Sequence, residues 1–348
     1  MKKKILVLSL FILFVFTALM TKFVIRRASY TIKTNGKLYI VNKRSRDINV
    51  FNLSTGKEIA KIPINMESHE AIVIKDQNRI VLTSFGANQP EGNLIKVINT
   101  KTNEIEKTIN LKTNISTKGI VTFNEENKVA VLDFIRNELL VLNIETDSIE
   151  KQIQTKQKTS YLLVFHPIKS LAYITNIDSN SISILDFDKN EVVKIIPCGL
   201  ATESIDITPD GSEIWVTNKN DDSITVINTV TNKVIETLST GNIPLKLKFS
   251  IDGKYCLVAN ANDGNIYVYN QQSKKKIKTI ILHGKTTVLE KILYHTPYPV
   301  NILMHPNGQY AFIANSNANK IEVIDMKTFK IVSTIGTGKI PDALVFVE

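Results

Sequence analysis

The fold is decided by the stretch Ser204–Thr237, which reads SIDITPDGSEIWVTNKNDDSITVINTVTNKVIET. It contains four short runs of Ile, Val, Thr and aromatic residues, and Asn, Asp, Gly and Pro residues separate these runs. β-Branched and aromatic residues favour strands, whereas Asx, Gly and Pro residues favour tight turns. The stretch therefore predicts four short strands, which start near Ser204, Glu213, Ser223 and Lys233.

The same unit occurs seven times along the chain. In each copy the second strand ends on a short polar residue, and these residues are 42, 49, 43, 42, 42 and 55 positions apart. The seven second-strand segments are Leu38–Asn42, Ile80–Ser84, Val129–Asp133, Ala172–Asn176, Ile214–Asn218, Cys256–Asn260 and Ala311–Asn315. A repeated unit of about 42 residues with four strands and no helix is typical of a propeller blade. We therefore expect an all-β, seven-bladed β-propeller with four-stranded blades over residues 28–348.

A second marker follows each of these strands, and it is always Asn or Asp. The markers are Asn52, Asn99, Asn143, Asp186, Asn228, Asn270 and Asp325. Each marker opens the third turn of its unit, where a short carbonyl-bearing side chain can accept hydrogen bonds from backbone N–H groups two residues further on. This pattern indicates a structural role in the turn.

The two ends of the repeated region complement each other. The chain ends on Ile340–Glu348, which has the pattern of a first strand but is followed by no second strand. The repeats begin at Thr34 with a turn and a second strand that no first strand precedes. We therefore expect the C-terminal strand to complete the N-terminal blade, which closes the ring and removes its free edges.

Residues 1–27 have a different composition from the rest of the chain. Lys2–Lys4 precede the uncharged, apolar segment Ile5–Thr21, as in a signal peptide or a membrane-anchoring helix. Ala18 and Ala28 are poor cleavage sites because Phe16 and Arg26 precede them by two positions, which favours an uncleaved anchor over a cleaved signal peptide. Either alternative predicts an extracytoplasmic propeller, in a periplasm or at a cell surface. About six of the formal +10 charges lie in this segment, so the propeller itself is too weakly basic to indicate nucleic-acid binding.

Several repeats resemble one known family of propellers. Tyr173–Asn176 and Trp215–Asn218 have the pattern of its tetrapeptide, and Thr208–Gly211 and Gly241–Pro244 match its turn segments. On these residues the chain resembles the YVTN-repeat, YncE-like β-propellers over residues 34–348. The resemblance implies an exported or cell-surface propeller that binds other molecules. Some relatives bind DNA, proteins or surface polymers, and related propellers carry haem or act as lactonases, but the repeat alone implies none of these activities.

The predicted site lies at one mouth of the central channel. Aligning the first strands of the seven units places two variable positions at this mouth. From them we predict ligand binding by His69, Glu70, Lys118, Tyr161, Glu203, Lys246, Asn301 and Asp342. Two insertions, around 89–92 and at 283–295, fall in loops of the same face, and elaborated loops are where binding functions concentrate. Deeper in the channel we expect Asp206 and Lys248 to form an ion pair between adjacent blades.

The sequence contains no catalytic signature. It has no Gly-rich phosphate loop, no Gly-x-Ser-x-Gly motif and no Cys-based haem attachment, and Cys198 and Cys256 have the character of packing residues. A metal site formed by His69, Glu70 and His295 is one alternative, although no local spacing supports it. The sequence therefore predicts no metal and no cofactor.

Three functions remain as alternatives. The sequence favours an exported, non-catalytic module or scaffold that recognises a protein, a peptide or an envelope polymer through its loop-rich face. A second alternative is a small-molecule or metal-dependent site at the channel mouth, of the lactonase type. A third is the binding of single-stranded DNA, for which Lys118, Lys246 and Tyr161 would suit, but the acidic residues of the mouth disfavour it.

Overall fold

The computed structural model describes residues 29–74, 78–84, 92–111, 115–122, 127–284 and 295–348. The expected N-terminal helix and most of both insertions lie outside these residues. None of the described residues forms a helix long and apolar enough to cross a bilayer.

The described residues form seven four-stranded antiparallel sheets, which are the blades of the predicted propeller. Blade 1 consists of β28 (Pro341–Val347), β1 (Lys37–Asn42), β2 (Asp47–Asn52) and β3 (Lys57–Pro63). Blade 2 consists of β4 (Ser68–Ile74), β5 (Arg79–Ser84), β6 (Leu94–Asn99) and β7 (Glu104–Asn110). Blade 3 consists of β8 (Thr117–Thr122), β9 (Lys128–Asp133), β10 (Glu138–Asn143) and β11 (Ser148–Gln154).

The other four blades have the same strand order. Blade 4 consists of β12 (Ser160–Phe165), β13 (Leu171–Asn176), β14 (Ser181–Asp186) and β15 (Glu191–Pro197). Blade 5 consists of β16 (Thr202–Ile207), β17 (Glu213–Asn218), β18 (Ser223–Asn228) and β19 (Lys233–Ser239). Blade 6 consists of β20 (Pro244–Phe249), β21 (Tyr255–Asn260), β22 (Asn265–Asn270) and β23 (Lys276–Ile281). Blade 7 consists of β24 (Pro299–Met304), β25 (Tyr310–Asn315), β26 (Lys320–Asp325) and β27 (Lys330–Gly336).

The C-terminal strand closes the ring as the sequence predicts. β28 pairs antiparallel with β1, and the register runs from Lys37 opposite Val347 to Asn42 opposite Pro341. The first strands of successive blades contact one another in ring order, and β28 contacts both β24 and β4. These first strands surround the channel, and the fourth strands form the outer rim.

The apolar core lies between neighbouring blades. One cluster, for example, packs Tyr39 and Val41 of blade 1 against Ile80 and Leu82 of blade 2. Trp215, which is fully buried, lies in the cluster between blades 5 and 6 and meets Phe249 edge-on. Each blade thus buries apolar side chains against a neighbouring blade, which is why a closed ring suits this repeat.

The Asn that ends the second strand joins the turns of its face. In blade 5, Asn218 Oδ1 accepts a hydrogen bond from Gly199 N at 3.1 Å. Its Nδ2 donates to Ser223 Oγ at 3.0 Å and to Thr225 Oγ1 at 2.9 Å. Any Cβ added to Gly199 would lie 2.7 Å from Asn218 Cγ, so this glycine allows the amide to approach the backbone.

The Asn or Asp markers act as turn residues, as predicted. Asn52 Oδ1, for example, accepts a hydrogen bond from Ser54 N at 3.0 Å, two residues further on. The Asn99, Asn143, Asp186 and Asn228 side chains accept the same bond. The Asn270 and Asp325 side chains instead accept a hydrogen bond from the N–H three residues on.

Candidate functional site

One end of the channel, here called the mouth face, is where the seven first strands begin. Each of these strands has a register irregularity at its first residues, so that it carries one more residue than the second strand beside it. In blade 2, for example, Ser68 is opposite Ser84 and Ala71 is opposite Leu82, which leaves His69 and Glu70 facing Thr83 alone. Such bulges redirect side chains, and here they redirect them around the mouth.

A cavity of about 310 Å³ lies at this mouth. Its lining residues are Lys43, His69, Glu70, Lys118, Tyr161, Leu162, Glu203, Leu245, Lys246, Tyr298, Val300, Ser316, Asn317, Ile340 and Asp342. The structure thus brings seven of the eight residues singled out by the sequence to one cavity. The volume is at the small end of the range for ligand sites in proteins.

Asn301 is the eighth residue, and it is buried without lining the cavity described here. At the equivalent position of blade 5, Ser204 Oγ accepts a hydrogen bond from Leu247 N of blade 6 at 3.2 Å, so this position faces the neighbouring blade there. At the same position of blades 2, 4 and 6, Glu70, Leu162 and Lys246 line the cavity.

An ion pair crosses the channel at the mouth. Lys246 Nζ lies 3.1 Å from Glu70 Oε1, although the two residues belong to blades 6 and 2, which are not neighbours in the ring. Both side chains are largely buried, with 17% and 21% of their surfaces exposed. The contact places one positive and one negative charge side by side near the channel axis.

A second pair joins blades 2 and 1. His69 Nδ1 lies 2.7 Å from Asp342 Oδ2. Burial lowers the pKa of His69, against the opposing charge of Asp342, and so favours the neutral imidazole. Burial alone would raise the pKa of Asp342, but the His69 contact and the charges of Lys118 and Lys43 bring it below its usual value. The ionised carboxylate therefore accepts a hydrogen bond from the Nδ1–H group of His69.

Lys118 and Tyr161 lie side by side at the mouth, and Lys118 is almost fully buried, with 2% of its surface exposed. The Lys118 ammonium lies 4.6 Å from the centroid of the Tyr161 ring, which is a cation–π distance. Burial lowers the pKa of Lys118 to about 8, and the negative charges of Asp342 and Glu70 oppose this shift. Burial, together with the charge of Glu203, raises the pKa of Tyr161 well above its usual value, so its hydroxyl stays protonated.

Two lysines outside the predicted set, Lys43 and Lys219, add positive charge at the mouth. Lys219 Nζ lies 2.7 Å from Glu203 Oε2, and Lys43 lines the cavity from the turn that follows β1. Lys43, Lys219 and Ser316 each directly follow the residue that ends a second strand. Aligning that single position across the seven repeats would have found all three.

The predicted pair deeper in the channel is present. Lys248 Nζ lies 2.9 Å from Asp206 Oδ1, and Phe249 N donates a hydrogen bond to Asp206 Oδ2 at 2.8 Å. The buried Asp206 carboxylate thus ties blade 5 to blade 6.

The structure does not bring together the alternative metal ligands. His295 is exposed and is not among the residues that line the mouth cavity with His69 and Glu70. Among the described residues, no group of three or more His, Cys, Asp or Glu side chains is placed to hold a metal ion. Of the two insertions, 85–91 and 285–294 lie outside the described residues, and the described His283 contacts the buried Glu322, with 2.7 Å between Nδ1 and Oε1.

Comparisons with known proteins agree with the architecture. The family model for lactonase, 7-bladed beta-propeller, matches residues 162–281, about a third of the chain. Kuenenia stuttgartiensis hydrazine synthase superposes with a TM-score of 0.69 at 15% identity, covering 80% of this chain and 89% of that chain. A functionally unknown protein from Desulfotomaculum acetoxidans superposes with a TM-score of 0.74 at 15% identity, covering 90% of this chain and 99% of that chain.

No curated protein matches the sequence. The two structural likenesses are at 15% identity and therefore show the fold alone. The family match and the closed ring of seven four-stranded sheets together identify the chain as a seven-bladed β-propeller.

Proposed function

We propose that this propeller is a non-catalytic binding module that acts outside the cytoplasm and captures a protein, peptide or envelope polymer on its mouth face. One observation carries the proposal: the charged cavity lies on the face at which the strands joined by both long connections, 85–93 and 282–298, end and begin again. On the opposite face, here called the far face, only four or five residues of sequence separate the strands that are consecutive in the chain. Length variation confined to one face is typical of a binding surface on a fixed scaffold.

The proposed location rests on residues 1–27, where Lys2–Lys4 precede an apolar segment in the manner of an export signal or anchor. The finer family assignment, to the YVTN-repeat, YncE-like propellers, is part of the same proposal. It rests on the tetrapeptides Tyr173–Asn176 and Trp215–Asn218 and agrees with an exported binding role.

The ion pairs of the mouth favour binding over metal-dependent hydrolysis. Glu70, Glu203 and Asp342 each lie within 3.1 Å of a Lys or His nitrogen. A divalent cation would have to displace these partners from the carboxylates it needs as ligands. The three carboxylates of the mouth also disfavour single-stranded DNA, whose phosphates they would repel.

Site-specific photocrosslinking tests the binding face. Leu200 on the mouth face and Ile251 on the far face are almost equally exposed, at 52% and 50%, and make a matched pair of labelling positions. With a photoreactive residue at each position in turn and intact cells as the source of partners, we expect discrete adducts from position 200 only. Equal labelling from both positions, or none from position 200, would contradict the proposal.

A lactonase-like activity is the second candidate, because the family model that matches residues 162–281 is that of lactonases. We expect no cation-dependent hydrolysis of simple lactones by the full chain in detergent. Hydrolysis that is abolished by the double change Glu70→Ala and Asp342→Ala, with an unchanged melting temperature, would favour this candidate instead.

A further inference from the structure

The mouth cavity brings positive and negative side chains together in one small space, and Lys219 adds a further positive charge beside Glu203. The lysines are Lys43, Lys118 and Lys246, and the carboxylates are Glu70, Glu203 and Asp342. Burial lowers the pKa of the neighbouring His69 and so favours its neutral form. A site for a simple anion or cation is lined mainly by the opposite charge, whereas here each carboxylate lies beside a Lys or His nitrogen.

The opposite charges are also close together and partly desolvated. Glu70 and Lys246 meet across the channel at 3.1 Å, with about a fifth or less of each side chain exposed. They reach this point from blades that are not neighbours, so the fold does not require their contact in order to pack one blade against the next. The pair is thus a feature of the mouth itself.

A ligand that enters between two such groups has to satisfy both. A ligand with one charge pairs with one side chain and leaves the other desolvated without a counter-charge, which is strongly unfavourable in a partly buried site. A neutral ligand leaves both side chains in that state if it separates them. A ligand with an ammonium and a carboxylate group replaces each half of the pair with an equivalent contact.

The remaining lining limits the size and polarity of the ligand. The volume of about 310 Å³ suits a small molecule, and Leu162, Leu245 and Val300 supply apolar surface beside the charged groups. Tyr161 adds an aromatic face and a protonated hydroxyl. A small molecule with two opposite charges and an apolar side chain matches this combination.

We propose that the mouth binds a small zwitterion, a free amino acid or a dipeptide, whose carboxylate pairs with Lys246 and whose ammonium group pairs with Glu70. The inference rests on the proposed function in so far as it takes the mouth face as a binding surface, and it goes beyond it by assigning a small molecule to the cavity. Because the contacts are made at the two ends of one molecule, blocking either end removes half of the recognition. Either blocked form therefore binds less tightly than the parent zwitterion.

Titration calorimetry on the full chain in detergent tests the inference. The probes are the twenty free amino acids and L-alanyl-L-leucine. The N-acetyl and methyl ester derivatives of each binder, together with γ-butyrolactone, are the single-charge and neutral comparisons. We expect at least one zwitterion to bind, and both of its blocked forms to bind at least about tenfold more weakly.

Variants assign the binding to the ion pair. Glu70→Gln and Lys246→Met each remove one charge and should each weaken binding of the zwitterion at least about tenfold. Lys254→Met is the control, because Lys254 pairs with Asp252 in an exposed turn of the far face, and we expect unchanged affinity. Melting curves check that all three variants remain folded.

The possible failures are distinguishable. Blocked forms that bind as well as their parent, or the absence of any zwitterion that binds, overturn the ligand class. If an anion or the lactone binds and Lys246→Met abolishes that binding, the mouth remains a binding site and only the zwitterion is wrong. If labelling from position 200 fails as well, the proposed function falls with the inference.

Discussion

The C-terminal strand β28 closes the ring by pairing with β1. A pair of leucine substitutions measures how much this closure contributes to the free energy of unfolding. Leu344 of β28 and Leu247 of β20 occupy the same position in two first strands, and both are buried, at 6% and 0% exposed. They differ in connection, because β20 runs directly into its own blade, whereas β28 meets β1 only through non-covalent pairing. Leu247→Ala therefore serves as the internal standard for Leu344→Ala.

The expected magnitude follows from burial. Replacing a fully buried leucine by alanine lowers the free energy of unfolding by about 2–5 kcal/mol. If the seam is as well packed as the continuous blades, both substitutions should fall in this range. Deleting 340–348 removes Leu344 and Val345, each contributing about 1.5–3 kcal/mol, and also uncovers the buried β1. The total is on the order of 5–10 kcal/mol, comparable with the whole stability of a typical domain.

Equilibrium unfolding in urea, followed by Trp215 fluorescence and by circular dichroism, gives the two values. Trp215 lies in the core between blades 5 and 6, far along the chain from the seam. A loss of fluorescence signal that coincides with the loss of β structure would show that the ring unfolds as one unit. A cost below about 1 kcal/mol for Leu344→Ala, beside the full cost for Leu247→Ala, would refute the reasoning and indicate a seam that opens independently.

Three further predictions concern other parts of the molecule. Gly241→Ala places a Cβ 2.8 Å from Asn260 Cγ and should lower the free energy of unfolding in urea by about 2–4 kcal/mol. The control Gly284→Ala adds a Cβ that meets nothing within 4 Å and should change the free energy of unfolding by no more than about 0.5 kcal/mol. Equal effects of the two substitutions would contradict the role of Gly241. Burial lowers the pKa of Lys118 to about 8, so Lys118→Met should raise the free energy of unfolding by about 2–3 kcal/mol at pH 7. The substitution should also abolish the rise in the free energy of unfolding that the unmodified protein shows between pH 8 and about 10.4. Parallel profiles of unfolding free energy against pH for the two proteins would count against this prediction. Residues 1–40 can be fused to alkaline phosphatase, which is active only outside the bacterial cytoplasm. We expect the fusion to be active and to retain its N-terminus. An inactive fusion would contradict export, and a fusion shortened at its N-terminus would contradict anchoring.

The fold could be predicted from the sequence because its determinants are local and repeated. The residues that end the second strands, such as Asn218 and Asn260, occur at nearly regular intervals, and their hydrogen bonds lie within one unit or to the turn beside it. The closing strand was predictable for the same reason, since its pattern continues that of the other first strands. The same pattern of strands and turns occurs seven times, so a prediction that would be weak from one unit is supported by all seven.

The site could be predicted only in part, because its geometry is not local. The sequence identifies the positions that line the mouth, but the bulges that redirect them are set by the pairing of first and second strands. The contact between Glu70 and Lys246 joins residues 176 positions apart on blades that are not neighbours, and no repeat pattern encodes it. Asn301 was expected at the mouth from its position in the repeat, and it is buried without lining the cavity, which the repeat pattern alone does not predict.

The division between repeated and unrepeated residues also explains how one scaffold can carry a specific site. The bulged residues at the start of each first strand are extra to the ladder, so their side chains change without altering strand pairing. Directly after them, Ile205, Leu247 and Leu344 return to a buried apolar position that is nearly the same in every blade. Selection can therefore act on the charges of the mouth independently of the packing below. The lysines and carboxylates gathered at the mouth are better explained by what the mouth contacts than by the stability of the ring.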